Sequence, residues 1–501
     1  MNISVKASKP ADHSVEVLFL SRKDIHPQVE EFYTLPQNDA KKNDSDIKGV
    51  KPSHGDISII DGYLRIYIDF NADKNLSNFE KFRLAGFNIA KTAQSKKIDK
   101  LFIMLENCGE AEFHQLCLGF YYGSYNFDKY KSASSKTIES ALSVVTSKEQ
   151  CATFEKSLRK AHKLMNHIDL ARNLVNEPGS DFTPADFVEK AKELAQKQEL
   201  KITIRDEGQL EKESFYGLLT VGKGSPHSPA MVTLEYRPSN AVSDVHLGIV
   251  GKGLTFDTGG ISIKPSTDMW EMKMDMAGAA ATLAAMGAIA EAKIPLNVTA
   301  VLCIAENRPG RNAVLPGDIY TAKNGKTVMV DNTDAEGRLV LTDGLWEAGQ
   351  YGVTHLVNLA TLTGAIIRAL GEQIAGLFSN SQQFTEQIMS LESTSGESFW
   401  PMPMPKEYAE SLKDKVADLK NIGGIAGSIT AALFLQEFIP ANVHWAHWDI
   451  AGTAFNTKKW KYYEHGGTGF GVHTLVQLAQ NMAQSPQDFP PLTSQKDESD
   501  D

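Results

Sequence analysis

The chain has 501 residues, of which 42% are hydrophobic and 23% are charged, and its formal net charge is −11. This length exceeds what one ordinary hydrophobic core holds, so two domains are expected. The acidic balance makes nucleic acid and anionic membrane surfaces unfavourable partners. Four cysteines without CxxC spacing, and an apolar N-terminal run too short for a signal peptide, predict a cytoplasmic protein.

The first third of the chain alternates strand-like and helix-like segments, which predicts an N-terminal α/β domain over residues 1–165. Ile57 to Ile60 and Tyr63 to Phe70 flank Asp61-Gly62, a dipeptide typical of a type I′ hairpin turn. The other predicted elements are helices around Phe79 to Ala93 and Glu112 to Tyr122, and a strand at Leu101 to Leu105.

A long amphipathic pattern from Lys148 to Val175 predicts a helix that ends before Pro178 and connects the two domains. Thr183 and Pro184 then have the residue types of an N-cap and a first helical residue. Downstream, helical patterns alternate with apolar strands, which favours a mostly parallel sheet with helices on both faces over residues 166–485. The predicted strands are Lys201 to Ile204, Met231 to Tyr236, His246 to Val250, Val298 to Ile304, His355 to Leu359 and Val443 to Asp449.

Two polar residues directly follow predicted strands of this sheet. Lys252 comes after the strand that ends at Val250, and Thr361 after the strand that ends at Leu359. Sites in such sheets form beyond the carboxyl ends of the strands, so these positions indicate where a site lies. The segment from 486 to 501 is proline-rich and acidic and is predicted to be disordered.

The octet NTDAEGRL, from Asn332 to Leu339, lies between two apolar runs. Asp334, Glu336 and Arg338 alternate along it, so in an extended segment they would project to one side. Two carboxylates and a guanidinium between core-forming residues need partners, because an unpaired buried charge is costly. For the octet alone, a structural ion-pair network and a functional site both remain open.

A glycine-rich segment upstream supplies further charges. The sequence GKGLTFDTGGISIKPSTDMWEMKMDMAGAAA begins at Gly251 and contains Lys252, Asp257, Lys264 and Asp275. Together with the octet it offers four carboxylates and two lysines. Four anions in one pocket require strong cations, and a pair of divalent metals meets that need in dinuclear hydrolases. A lysine next to two dications could be neutral and act as a ligand.

These two motifs resemble those of the leucyl aminopeptidase family, the M17 family of cytosolic dinuclear zinc or manganese exopeptidases. Further blocks that resemble the family are ARNLVNEP (Ala171 to Pro178), NLATLTGA (Asn358 to Ala365), SITAALFLQEF (Ser428 to Phe438) and HWDIAG (His447 to Gly452). The resemblance covers roughly residues 165 to 485. It implies a macro-like N-terminal α/β domain followed by a catalytic metallo-aminopeptidase domain.

For the metal centre, the resemblance implies that Asp257 and Glu336 bridge two divalent ions, Zn²⁺ or Mn²⁺ or one of each. Asp334 would complete one site, and Lys252 and Asp275 would complete the other. A hydroxide that bridges the ions would then attack the scissile carbonyl of a peptide.

The resemblance also implies two catalytic cations. Lys264 would stabilise the developing oxyanion. Arg338 would hold a bicarbonate ion as the general base, because its planar fork suits a planar oxyanion.

Substrate would be held by main-chain groups of one loop and by an apolar pocket that favours N-terminal leucine and other apolar residues. The matching positions are Thr361, Leu362 and Gly364 for the loop, and Met272, Ala451 and Ala454 for the pocket. The family further implies a homohexamer of two stacked trimers whose active sites face an enclosed interior.

Two other functions remain open at this point. A dinuclear phosphoesterase uses similar metals, although such sites usually contain several histidines, which these motifs lack. The other is a non-enzymatic binding protein with a vestigial site, although every proposed ligand position is intact. His447, in an apolar run with Trp445 and Trp448, is predicted to be a hydrogen-bonded core residue. His167, on the long helix, is predicted to lie at the surface.

Overall fold

A computed structural model of the chain describes residues 3–9, 15–20, 57–60, 63–69, 76–105, 108–132, 140–242 and 244–492. The chain divides into two compact units. One comprises Met1–Met165 with Lys461–Tyr463, and the other comprises Asn166–Trp460 with Glu464–Asp501. No helix in the described ranges is long and apolar enough to cross a membrane.

The strands of the described residues are β1 (Ile3–Lys6), β2 (Val15–Leu20), β3 (Ile57–Ile60), β4 (Tyr63–Asp69), β5 (Lys100–Met104), β6 (Ala141–Val145), β7 (Lys201–Arg205), β8 (Ala230–Tyr236), β9 (His246–Asp257), β10 (Asn297–Asn307), β11 (Ile319–Thr321), β12 (Thr327–Met329), β13 (His355–Ala360), β14 (Ile374–Ser379), β15 (Ser398–Pro401), β16 (Leu419–Lys420), β17 (His444–Asp449), β18 (Phe455–Asn456) and β19 (Gly466–Gly467).

The helices of the same residues are α1 (Asn78–Lys96), α2 (Glu110–Ser124), α3 (Cys151–Asn176), α4 (Pro184–Lys197), α5 (Glu207–Lys212), α6 (Tyr216–Gly222), α7 (Ala277–Glu291), α8 (Gly337–Gly349), α9 (Gly364–Leu370), α10 (Gln382–Ser390), α11 (Glu392–Ser395), α12 (Gly427–Gln436) and α13 (Val472–Gln484). Short 3-10 turns occur at Met269–Met274, Lys406–Leu412 and Pro486–Asp488.

The first unit is built on a six-stranded sheet with the order β1-β6-β5-β2-β4-β3. Its neighbouring strands are parallel except β3 and β4, which pair antiparallel as the predicted hairpin. Asp61 and Gly62, where a type I′ turn is predicted, lie outside the described residues. Helices α1 and α2 approach closely, since a Cβ on Gly119 would meet the Arg83 carbonyl oxygen at 1.8 Å.

The second unit is built on an eight-stranded sheet with the order β15-β14-β17-β13-β9-β10-β8-β7. The four adjacent strands β17, β13, β9 and β10 are parallel to one another. Antiparallel pairs flank this centre, between β14 and β17, β10 and β8, and β8 and β7. The predicted mostly parallel sheet is therefore confirmed, and each of the six predicted strands is present.

Helices cover both faces of this sheet. Successive residues of a strand point to opposite faces, and Gly251 of β9 lies against Ala279 of α7. The preceding residue, Val250, lies against Gly344 of α8. Helices α7 and α8 therefore lie on opposite faces, as predicted. Residues Ala277 to Ala290 of α7 are all buried, so this helix of mostly small apolar residues lies entirely in the core.

Two expectations outside the site are corrected by the structure. His167 is not at the surface: it is buried, and its Nε2 lies 2.9 Å from the Glu291 carboxylate. The segment from 486 to 501 was predicted to be disordered, but its first residues are ordered. Residues 486–488 form a 3-10 turn, and Phe489 is buried. The Pro490 carbonyl lies 3.0 Å from Nε2 of His444, an attachment that composition does not reveal. Residues 493–501 lie outside the described part of the chain.

Candidate metal centre

Strand β9 carries both Lys252 and Asp257, so Lys252 does not follow the strand as predicted but lies within it. Residues five apart in a regular strand point to opposite faces. Here the register with β10 shifts, so that Leu254 pairs with Ala305 but Asp257 pairs with Asn307. Strand β9 has one extra residue in this interval, a β-bulge. The bulge brings Lys252 and Asp257 to the same face.

Asn307 holds the Asp257 carboxylate in place and is a site residue that the sequence analysis missed. Its Nδ2 donates to Asp257 Oδ1 at 2.8 Å and to the Thr333 carbonyl at 3.0 Å. The Gly259 amide also donates to Asp257 Oδ1, at 2.9 Å. The available signal was the polar pair Glu306-Asn307 that closes the apolar run of β10, at the carboxyl end of a strand next to β9.

The octet is not extended, which corrects the predicted geometry. Residues 331–336 form a turn, Glu336 is the N-cap of α8, and Arg338 lies in the first turn of that helix. The turn aims Asp334 and Glu336 at β9 by bringing the helix terminus close to it. A Cβ on Gly337 would lie 2.7 Å from Nζ of Lys252, so a larger residue there would displace the lysine side chain.

Asp275 and Thr361 complete the centre from two other elements. Asp275 follows the 3-10 turn Met269–Met274 and lies two residues before α7, and Thr361 directly follows β13. The Thr361 hydroxyl donates to Asp275 Oδ1 at 2.8 Å, and Nζ of Lys252 donates to the Thr361 carbonyl at 2.9 Å. The structure thus brings together the five residues predicted as metal ligands.

Each lysine of the centre lies between two carboxylates. Lys252 Nζ is 2.8 Å from Asp275 Oδ1 and 2.9 Å from Glu336 Oε1. Lys264 Nζ is 2.7 Å from Asp257 Oδ2 and also contacts Asp334 Oδ1. The four carboxylates and the two cations therefore form one electrostatic cluster, most of it buried.

The cluster shifts the pKa values of its members in opposite directions. Burial raises the pKa of Asp275 well above its usual value, and burial with the neighbouring Asp257 raises that of Asp334 to about 6. Burial opposes charge on Lys252, but Asp275 and Glu336 outweigh it and raise the pKa of that lysine. Despite its own burial, Glu336 has a lowered pKa because both lysines stabilise its anion. The carboxylates of the site therefore stabilise positive charge placed next to them.

The carboxylate oxygens also fit divalent cations. Asp257, Asp334 and Glu336 each offer one ligand atom, and these atoms lie within 4.8 Å of one another. Asp275 Oδ2 and Glu336 Oε2 are buried and have no hydrogen-bond partner among the described residues. Buried oxygens that lack a donor are costly unless a cation or water meets them. The donor set, carboxylates with an amine, suits Zn²⁺ or Mn²⁺.

Arg338 is buried beside the centre. Its Nη1 donates to the carbonyl of Asn421 at 2.8 Å, and its Nε has no hydrogen-bond partner among the described residues. Burial lowers the pKa of Arg338 to about 10, so the side chain is still cationic at neutral pH. A buried guanidinium with a spare N–H is suited to bind a small anion.

Asn421, just after β16, is a second residue that the sequence analysis missed. It is fully buried, and its Oδ1 accepts from the amides of Asp331 at 2.8 Å and Asn332 at 3.2 Å. Its Nδ2 donates to the Asn332 carbonyl at 2.7 Å. Asn421 thereby fixes the turn that presents the octet. No local signal marks it, because it lies far from the octet in sequence.

The residues predicted to bind substrate lie on three segments of the second unit. Thr361 and Leu362 follow β13, and Gly364 begins α9 with open space around its Cα. Ala451 and Ala454 are buried in the segment after β17, and Met272 is partly buried in the 3-10 turn before Asp275.

His447 is a core residue, as predicted. It is fully buried in β17, and its Nδ1 lies 2.9 Å from Nδ2 of Asn358 on β13. Burial lowers its pKa to about 3, so the ring is neutral.

Comparisons with known proteins show which family this chain resembles over most of its length. A model of the cytosol aminopeptidase family, catalytic domain, matches residues 169–476. A probable cytosol aminopeptidase of Aquifex aeolicus (strain VF5) is 38% identical over 423 residues, which cover 83% of this chain and 85% of that protein. Another, of Alkaliphilus metalliredigens (strain QYMF), is 43% identical over 385 residues, covering 76% of each. Among solved structures, the bottromycin maturation enzyme BotP in complex with Mn superposes with a TM-score of 0.81 at 29% identity, covering 94% of this chain and all of that one.

Proposed function

The chain belongs to the cytosol aminopeptidase family and is a hydrolase of that class, and on this premise we propose that it releases N-terminal leucine and other apolar residues from peptides. The observation that carries the proposal is the cluster of four carboxylates around Lys252 and Lys264, within the matched domain. Such a cluster has no structural need to exist in a buried site without cations to balance it.

Two divalent ions are proposed as the cofactors, held by five side chains. Asp257 and Glu336 would bridge the ions, Asp334 would complete one site, and Lys252 and Asp275 the other. The mutual proximity of the three carboxylates and the unpartnered oxygens of Asp275 and Glu336 support this assignment. The ions would supply an acidified water as nucleophile and would polarise the scissile carbonyl. The Mn in the BotP structure makes Mn²⁺ the first metal to test, with Zn²⁺ second.

Lys252 has a different role in the presence of metal. As an ammonium it pairs with Asp275 and Glu336, whereas as a ligand it must offer a neutral amine. Two dications next to it would lower its pKa, because like charges disfavour the protonated form. Metal binding would therefore release a proton from Lys252.

Lys264 and Arg338 are proposed to act on the reaction itself. Lys264 is partly exposed at the edge of the cluster, so its ammonium can reach a substrate carbonyl and stabilise the developing oxyanion. Arg338, with Nε unpartnered among the described residues, would bind a bicarbonate ion that takes a proton from the attacking water.

Substrate would lie between the metal centre and the segments after β13 and β17. Main-chain groups of Thr361, Leu362 and Gly364 would hold its backbone. The pocket for its first side chain would be lined by Met272, Ala451 and Ala454, which are apolar and small enough to admit leucine. The free amine of the peptide would bind at one metal, which explains selectivity for an N-terminus.

We also propose a homohexamer in the cytoplasm. The relatives are named cytosol aminopeptidases, and closed symmetry is the usual outcome for soluble homo-oligomers. Light scattering at low micromolar concentration tests the assembly directly. A hexamer is expected, and a mass near 55.0 kDa with full activity would refute it.

The catalytic proposal is tested by three substrates assayed side by side, with and without added Mn²⁺ or Zn²⁺. Leucine-p-nitroanilide should be cleaved only with metal. Bis-p-nitrophenyl phosphate, the substrate of a dinuclear phosphoesterase, should not be cleaved, and duplex DNA should not bind. Cleavage of the phosphodiester but not of the anilide would replace the aminopeptidase with a phosphoesterase, and inactivity towards both would favour a binding protein.

A further inference from the structure

We propose that Asp449 is a positioning residue that ties the loop holding the substrate backbone to the wall of the side-chain pocket, so that it sets side-chain selectivity. This inference rests on the proposed function. Asp449 is the last residue of β17 and is almost fully buried, at 1% exposure. It is not one of the proposed metal ligands. It lies within the block HWDIAG, for which the family resemblance implied no role of this aspartate.

The first observation is that one carboxylate serves the loop after β13. Asp449 Oδ1 accepts from the Leu362 amide at 3.1 Å and from the Thr363 amide at 3.4 Å. Its Oδ2 accepts from the Thr363 hydroxyl at 2.6 Å. That hydroxyl oxygen in turn accepts from the Ile366 amide at 3.1 Å, which caps α9 just beyond Gly364. The carboxylate thus fixes the conformation of the whole segment from 362 to 364.

The second observation is that the same carboxylate serves the pocket wall. The Ala451 amide donates to Asp449 Oδ1 at 3.3 Å. The neighbouring Ile450 amide donates to the Ala360 carbonyl at 2.9 Å, so the ends of β13 and β17 are also joined through the backbone. The amides of Ala451 and Leu362 therefore donate to the same oxygen atom, so a movement of either residue would displace the other.

The third observation is that the loop is attached to the metal centre at its other end. Thr361 donates its hydroxyl to Asp275 and accepts from Lys252 through its carbonyl. Three consecutive residues thus connect the metal ligands to Asp449. Because displacing a reacting group by about 1 Å can cost about 100-fold in rate, a fixed loop is required to place substrate relative to the metals.

A buried carboxylate could also serve stability alone, and Asp343 provides the matched control. It too is fully buried, on α8, and its Oδ2 accepts from the Leu218 amide at 2.8 Å. It contacts none of the proposed substrate-binding residues. Asp449→Asn and Asp343→Asn therefore make the same carboxyl-to-amide change at comparably buried sites, and only the first should alter selectivity.

The test measures kcat/KM for leucine-p-nitroanilide and alanine-p-nitroanilide with the metal-loaded enzyme, and compares their ratio among variants. The ratio does not depend on the concentration of active enzyme, so partial misfolding cannot mimic the effect. Asp449→Asn should lower the leucine-to-alanine ratio by at least about fivefold, because the pocket wall is no longer fixed. Bound metal should stay at the wild-type level, and Asp343→Asn should leave the ratio unchanged.

Thr363→Val supplies a second variant, which removes the hydroxyl bonded to Asp449 and with it the cap of α9. It should lower the ratio in the same direction, and the double variant Asp449→Asn/Thr363→Val should be no worse than Asp449→Asn alone, because the two side chains act together. A ratio within about twofold of wild type in both single variants, or an equal fall in Asp343→Asn, would overturn the inference. A wild-type protein that cleaves neither anilide would overturn the proposed function and this inference with it.

Discussion

Lys252 Nζ lies 2.9 Å from Oε1 of Glu336, although the two side chains come from a strand and from the N-terminus of a helix. The contact exists because Gly337 lets the helix terminus approach the lysine. The lysine thereby supplies a positive charge beside Glu336, a carboxylate that we propose as a ligand of the metal ions. We infer that in the metal-free protein the Lys252 ammonium neutralises the carboxylates of Asp275 and Glu336. When metal binds, the same side chain becomes a neutral ligand.

The bridging assignment predicts the effect of removing Glu336. Glu336→Ala should abolish activity and lower bound metal below two ions per chain, and Asp257→Ala and Asp334→Ala should do the same, since each removes an anion that the ions need. Metal analysis of purified variants measures this. The matched control is Asp331→Ala, an exposed aspartate of the same turn, which should keep both ions. Two ions retained in Glu336→Ala would show that the glutamate does not bridge them.

The two catalytic cations predict a different phenotype. Lys264→Ala or Arg338→Ala should lower kcat by about 100-fold and keep both metals, because each would act on the transition state or on the general base. Steady-state kinetics with metal analysis separates these effects. Lys326→Ala, which removes an exposed lysine paired with Glu437 away from the centre, should be neutral. Metal loss as the first defect would instead make either residue a structural partner of the ligands.

Removing the metal should leave the protein folded. Each carboxylate of the centre already has a lysine within contact, so the two lysines offset part of the buried negative charge. A chelator should abolish activity while the circular dichroism spectrum stays native, and Mn²⁺ should restore activity. Lys252→Ala should have a lower Tm than wild type when both are metal-free, because its two carboxylates lose their partner. Unfolding of the wild type by chelation alone would contradict this account.

The buried carboxyl of Asp343, which is not a proposed ligand, leads us to expect a pH dependence of stability. Burial raises its pKa to about 7, against an ordinary value of 3.8. The neutral acid therefore stabilises the fold at low pH, and this contribution is lost as the pH rises through the folded pKa. Asp343→Asn cannot ionise, so its Tm should rise relative to wild type between about pH 4 and about pH 7, by an amount that corresponds to a few kcal/mol at most. A Tm difference that is constant over this range would show that Asp343 is already ionised in the fold.

The sequence predicted the sheet of the second unit well because hydrophobic alternation and helix signals are local. It ended that strand at Val250, however, because Gly251, Lys252 and Gly253 interrupt the apolar run, whereas β9 continues to Asp257. The bulge that brings Asp257 to the face of Lys252 depends on the register with β10, so it leaves no mark in β9 itself. The octet was predicted as extended because the spacing of Asp334 and Glu336 does not distinguish a strand from a turn that leads into a helix. Gly337, between two charged residues, was the available clue.

Residues that support the site from elsewhere in the chain were beyond local reasoning. Asn421 holds the octet turn from 89 residues away in sequence, and Asp449 holds the loop after β13 from 87 residues away. Their roles follow from parallel strand pairs: β12 with β16 brings Asn421 to the octet, and β13 with β17 brings Asp449 to the loop. Single-sequence patterns give the strands but not their order, so such partners emerge only from the fold.

The most direct test of the central claim is a titration of the metal-stripped wild-type protein with Mn²⁺, in which bound ions and hydrolysis of leucine-p-nitroanilide are measured on the same samples. The account predicts no hydrolysis without metal, two ions bound per chain at saturation, and activity that tracks their binding. Full activity in the stripped protein, or activity that is complete with no ion bound at the centre, would contradict it.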